Sequence, residues 1–129
     1  MDNLFIAPTP TSPEVDFRFA EDVLWLKGES FPENAAAFYL PVIEQLRAYL
    51  DQRQEATLLV HVALAYFNSS STKMLFTLFD ALDQAAQAGN RVELHWYYDA
   101  EDETIQEFGE ELRLDFQALA FVEHPELPA

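Results

Sequence analysis

The sequence predicts a layered α/β domain whose mixed sheet begins with an antiparallel hairpin and continues through strands joined by crossover helices. Three observations predict it. Two strand-length segments near the N-terminus are separated by a tight acidic turn. Beyond them, apolar runs of strand length alternate with segments whose apolar residues recur every three to four positions. The 129 residues, 50% hydrophobic and 14% aromatic, hold enough apolar material for one domain, 1–129, with one core.

Pro8, Pro10 and Pro13 keep the first segment extended. Glu14 to Ala20 places Val15, Phe17 and Phe19 on one side and Asp16 and Arg18 on the other, the period of a half-buried strand. Glu21 and Asp22 turn the chain into a second strand, Val23 to Lys27, which Gly28 ends. Asn34 caps a helix reaching about Arg53, with Phe38, Val42, Ile43, Leu46, Tyr49 and Leu50 at helical spacing. Pro41 lies inside that pattern and predicts a kink or a restart. Thr57 to Phe67 is almost wholly apolar and reads as a central strand covered on both faces. Asn68 opens a second helix with Leu75, Leu78, Phe79, Leu82 and Ala86 as its core stripe and Gly89 as its stop. Val92 to Tyr98 alternates as a strand. A third helix begins near Asp102, where acidic side chains suit the positive end of the dipole, and buries Ile105, Phe108 and Leu112. A short strand from about Leu119 to Val122 closes the pattern. Two helical crossovers join successive strands, which therefore lie parallel.

The formal net charge is −16. A surface this acidic repels phosphate backbones and anionic lipid, so the sequence predicts no nucleic-acid partner and no membrane insertion. No apolar run approaches the roughly 20 residues that span a bilayer. Met1 to Ser12 lacks the basic region and apolar stretch of a secretory signal. With no cysteine, disulfides and thiolate chemistry are excluded. Together these features predict a cytoplasmic protein. The charge is uneven: Asp99 to Asp115 holds eight carboxylates against one cation, Arg113. Such a run is ordinarily a solvated helix face. The sharper alternatives are a docking surface for a basic partner and a mimic of DNA.

Catalytic chemistry is sparse. His61, His95 and His124 show no metal-ligand spacing. His61 lies in the predicted buried strand and reads as a hydrogen-bonded core residue. There is no nucleophile elbow. Three glycines, Gly28, Gly89 and Gly109, do not make a phosphate-cradling loop. Asp99, Glu101, Asp102 and Glu103 lack the pattern of a calcium loop. The sequence predicts no catalytic residue, no metal and no cofactor, hence no enzyme.

One segment stands apart. Asn68-Ser69-Ser70-Ser71-Thr72-Lys73 lies between a strand and an amphipathic helix. Capping a helix start needs one such side chain, and four consecutive hydroxyls exceed that need. A hydroxyl in the first turn is open to a kinase, and a phosphate there adds about −1.5 to −2 charges at neutral pH. On a helical wheel Ser69, Lys73, Phe76 and Asp80 share a stripe away from the core stripe. Phe76 either tucks under a neighbouring loop or meets a partner beside the switch hydroxyl.

Three stretches now combine. They are Gly28-Glu29-Ser30-Phe31-Pro32-Glu33-Asn34, then Tyr66-Phe67-Asn68-Ser69-Ser70-Ser71-Thr72-Lys73, then Trp96-Tyr97-Tyr98-Asp99 with Asp102-Glu103 and Glu107-Phe108-Gly109-Glu110-Glu111. In this order they resemble the SiaC family of bacterial regulatory phosphoproteins, which is distantly similar to the STAS-domain anti-sigma factor antagonists. The resemblance covers nearly the whole chain and implies a STAS-like domain. It implies that Ser69, at the position where the family carries serine or threonine, is the phosphoacceptor, with Ser70 and Ser71 next in line. It further implies a SiaB-like protein kinase, a PP2C-type phosphatase similar to SiaA, and a diguanylate cyclase as output when Ser69 is unmodified, linking the chain to cyclic-di-GMP and biofilm regulation. Two readings compete with it: an acidic protein-binding module or DNA mimic that works without phosphorylation, and a small-molecule enzyme with a carboxylate site.

Overall fold

The computed structural model describes residues 1–126. In chain order its elements are β1 (Leu4–Ile6), β2 (Glu14–Arg18), β3 (Val23–Ser30), α1 (Ala35–Asp51), β4 (Thr57–Phe67), α2 (Ser69–Gln87), β5 (Arg91–Asp99), α3 (Glu103–Asp115) and β6 (Ala120–Glu126). The six strands form one sheet in sequence order. β1, β2 and β3 pair antiparallel. β3, β4, β5 and β6 pair parallel, so α1, α2 and α3 make three crossovers rather than two. A right-handed crossover is the rule, and successive ones stepping the same way across a sheet fall on one face.

Burial follows that geometry. Leu24 and Leu26 of β3, Leu58, Val60, Val62 and Leu64 of β4, and Val92, Leu94, Trp96 and Tyr98 of β5 are buried. They meet Tyr39, Ile43, Leu46, Leu75, Leu78, Phe79, Leu82, Phe108 and Leu112 from the helices in one core cluster. The alternate positions Trp25, Leu59, His61, His95 and Tyr97 are only half-buried. β4 is therefore covered on one face, not both. Leu59 and Ala63 make the run look apolar throughout, yet only neighbouring strands shield that side. His61 accordingly lies on the open face rather than in the core.

Other expectations need correction. β1 pairs with β2, although the prolines around it predict only extended chain. Gly28 does not end β3. It adopts φ +117, and the strand continues to Ser30 across a bulge that leaves Ala65 of β4 unpaired. Pro41 neither ends nor restarts α1, which is one helix from Ala35 to Asp51. Its ring is on the exposed side, and the carbonyl it deprives belongs to exposed Ala37, where water can serve it. The helix starts match expectation: Asn34, Asn68 and Asp102 each accept a backbone N–H from the first turn with a side-chain oxygen.

Candidate functional site: the switch turn

The bulge shapes the site. Before it, Leu64 faces the helices. After the extra residue Ala65 the parity is reversed, so Phe67 turns inward and Tyr66 outward. Phe67 reaches the ring of Phe108 on α3 at 4.6 Å, and Tyr66 meets Phe31 edge-on at 5.7 Å. Tyr66 is 50% exposed, a large aromatic beside the start of α2.

Asn68 fastens the turn that follows. Its N–H donates to the Ser30 carbonyl at 3.0 Å. Its Oδ1 accepts the Ser71 N–H at 2.9 Å. Its carbonyl accepts the N–H of Thr72 at 3.0 Å and the Thr72 hydroxyl at 3.1 Å.

The four hydroxyls differ sharply. Ser71 is fully buried, and its Oγ donates to the Ser30 carbonyl at 3.0 Å while accepting from Ser30 Oγ at 2.9 Å. Thr72 is half-buried and engaged with Asn68. Ser69 and Ser70 are exposed, and neither hydroxyl bonds to another group among the described residues. The structure thus leaves Ser69 and Ser70 accessible and encloses Ser71. Ser70 and Lys73 border a shallow groove shared with Glu33 and Asn34 at the start of α1. Two helix N-termini meet there. Lys73 is exposed.

Further along the stripe, Phe76 is half-buried. Its ring packs on Phe108 at 5.3 Å and Phe116 at 6.0 Å, so it ties α2 to α3 rather than standing free. Asp80 accepts a hydrogen bond from Gln84 one turn on. The acidic run divides in two. Asp102 caps α3 and Asp99 accepts the Glu101 N–H, whereas Glu103, Glu107, Glu110, Glu111 and Asp115 face solvent.

Ser30, Phe31 and Tyr39 surround the switch, and sequence reasoning attached no role to them individually. The available signal was parity: had β3 been extended past Gly28, Ser30 would have fallen on the buried side with Leu24 and Leu26. The clustering of the three histidines is a second feature the sequence reading missed. His61, His95 and His124 lie together on the open sheet face, with His95 stacked between the other two at ring separations of 4.9 and 5.0 Å.

The strand–turn–helix geometry and the three motif stretches can be set beside known proteins. The family model described as SiaC family regulatory phosphoprotein matches residues 6–126. The chain belongs to the SiaC family. Apo-SiaC from Pseudomonas aeruginosa superposes with a TM-score of 0.87 at 31% identity, covering 96% of this chain and 99% of that one. The SiaC of a crystal complex in which it is bound, as activator, to the diguanylate cyclase SiaD from the same organism fits equally well. There the TM-score is 0.87 at 31% identity, over 95% of this chain and 99% of that one. An uncharacterized protein of Pseudomonas aeruginosa strain UCBPP-PA14 is 33% identical over 115 residues, 89% of this chain and 90% of its own length. The α/β fold with its antiparallel opening is therefore the SiaC fold, and among the described residues no helix is long and apolar enough to cross a membrane.

Proposed function

We propose that the chain is a non-enzymatic, cytoplasmic partner switch that binds and activates a diguanylate cyclase while Ser69 is unmodified and releases it on phosphorylation. The observation that carries this reading is the exposed, unengaged hydroxyl of Ser69 at the first position of α2, in a family whose SiaC member forms an activating complex with SiaD. The chemistry supports it. A phosphate at Ser69 is tolerated by the positive end of α2. A partner seated on the neutral turn must then desolvate a dianion, which is costly. The surface at stake combines Tyr66 and Ser69 with Ser70, Lys73, the outer edge of Phe76, and Asp80. Lys73, one turn from Ser69, can pair with the phosphate and favour the released state, although an exposed pair contributes only about 0–1 kcal/mol. A SiaB-like kinase writes the mark and a PP2C-type phosphatase, similar to SiaA, removes it.

The test pairs intact-mass analysis with binding to SiaD of Pseudomonas aeruginosa as the probe. Protein from its native cells should carry one phosphate, on the Asn68–Lys73 peptide. Ser69→Ala should take none there and bind SiaD constitutively. Stoichiometric phosphate on Ser69→Ala would move the site to Ser70. Equal binding by phosphorylated and unmodified chain would end the reading in favour of an acidic module that works without modification.

A further inference from the structure

We propose that Tyr39, Ser30 and Ser71 form a buried latch that decides which hydroxyl of the switch turn is presented for phosphorylation. This rests on the reading of Ser69 as the acceptor and adds the device that singles it out.

The three hydroxyls come from three elements: Tyr39 from α1, Ser30 from the end of β3, and Ser71 from the first turn of α2. All three residues have 0% exposure. Their protons can be placed. Ser71 Oγ–H donates to the Ser30 carbonyl at 3.0 Å, and Ser30 Oγ–H donates to Ser71 Oγ at 2.9 Å. The remaining contact, Tyr39 Oη to Ser30 Oγ at 2.5 Å, must then have Tyr39 as donor. Burial pushes the Tyr39 hydroxyl up to about 12, so that proton is held at every physiological pH. Each donor finds one acceptor, and the series ends on a carbonyl that also receives the Asn68 N–H at 3.0 Å.

Packing alone does not require hydroxyls at these positions. A buried hydroxyl is unfavourable unless bonded: Ser71 Oγ–H has the Ser30 carbonyl, but the Ser30 hydroxyl proton depends on Ser71 Oγ and the Tyr39 hydroxyl on Ser30 Oγ. The consequence is rotational. Successive residues of a helix turn by about 100°, so holding Ser71 inward directs Ser69 and Ser70 outward. Asn68, fastened to the same carbonyl, fixes where the helix begins and so which serine stands first. Without the latch the first turn can fray or start one residue later, and Ser70 then takes the place of Ser69.

The test uses the full chain with Ser71→Ala, Tyr39→Phe and the double variant. Thr77→Ala is the control, since the Thr77 hydroxyl bonds the Lys73 carbonyl further along the same helix. Two readouts are taken: amide hydrogen exchange, and site-resolved mass spectrometry after treatment with the kinase that modifies the wild type. The expected result is exchange about tenfold faster at residues 68–72 in each single variant, with β4 and β5 amides unchanged. Phosphate should spread from Ser69 onto Ser70 with about a tenfold loss of selectivity, and the double variant should be no worse than the singles, as for groups that act as a unit. Exchange at the turn that matches wild type, or additive losses in the double variant, overturns the latch. Faster exchange with phosphate still confined to Ser69 overturns its selecting role. Tyr39→Phe keeps the ring volume, so it decides the matter if Ser71→Ala does not fold. If wild-type chain takes no phosphate, the functional reading fails, and exchange alone decides whether these hydroxyls hold the turn.

Discussion

A hydroxyl in the first turn of a helix has two competing uses, and the switch turn separates them by residue. Ser71 and Thr72 are engaged internally, whereas Ser69 and Ser70 are free for modification. Asn68 makes the division possible because its side chain already satisfies the Ser71 N–H, a task a serine would otherwise take. Asn68→Ala should therefore lower stability by about 0.5–2 kcal/mol. A denaturant titration measures this as a shifted midpoint with unchanged slope. An unmoved midpoint would mean that a serine hydroxyl replaces the cap. Phe76 illustrates where wheel arithmetic stops. The stripe it shares with Ser69 is right, yet Phe108 and Phe116 stand against its ring, contributed by a helix that a wheel of α2 does not contain. Truncating a buried Phe costs about 3–5 kcal/mol, so half-buried Phe76→Ala should cost roughly 2 kcal/mol in a thermal or denaturant melt. Any loss of cyclase binding by that variant must then be measured where the variant is still folded.

Elements were legible wherever local chemistry fixes them. Each helix start has a side chain that caps it, and Gly89 at φ +113 ends α2 with its N–H on the Ala86 carbonyl. Strand length was less legible, because pairing along a neighbour extends a strand past its own propensity. β6 runs through Pro125 to Glu126 along β5, and β1 exists only because β2 offers an edge. The switch turn could be read as a motif but not as a geometry, since the Ala65 bulge and the Ser30 partner lie in separate stretches of sequence. Gly109 shows the opposite case, a motif residue whose reason appears only in packing. A Cβ there would come within 2.7 Å of Cδ1 and Nε1 of the Trp96 indole, whose N–H is itself tied to the Ile105 carbonyl. Trp96 is buried and cannot retreat. Overpacking of this kind costs about 1–3 kcal/mol, against a gain of about 1 kcal/mol from replacing glycine in a helix. Gly109→Ala should therefore be destabilising by up to about 2 kcal/mol in a denaturant titration, with near-UV circular dichroism of Trp96 altered. A stabilised variant would show that α3 can slide away from β5 at no cost.

Among the described residues, three crossovers stepping one way leave the second face of the sheet without α-helices, and all three histidines lie on that face. His61 stacks between Trp25 at 4.1 Å and His95 at 4.9 Å, with its Nδ1 2.9 Å from Tyr97 Oη. His95 places Nε2 3.2 Å from Glu93 and Nδ1 2.8 Å from His124 Nε2. Burial, then the nearby charge of His95 and His124, holds His61 below the ordinary histidine range, with Glu93 opposing. The folded chain therefore binds fewer protons at His61 than the unfolded chain does. Stability from this site is complete above the unfolded value of about 6.5 and falls as pH drops from there toward the lower folded value. Glu93 is held below the usual carboxylate range by hydrogen bonds from Arg91 and His95. Glu123 is raised above the usual carboxylate range by burial and by its neighbour Glu110, with the Arg113 guanidinium opposing. His61→Phe keeps a ring in the stack and removes the proton site. Between pH 7 and pH 5 the wild-type melting midpoint should fall further than that of His61→Phe. For a domain of this size about 1 kcal/mol moves the midpoint by roughly 3–6 °C, so calorimetry can resolve the difference. Parallel curves would assign the acid sensitivity to the carboxylates of the helical face instead.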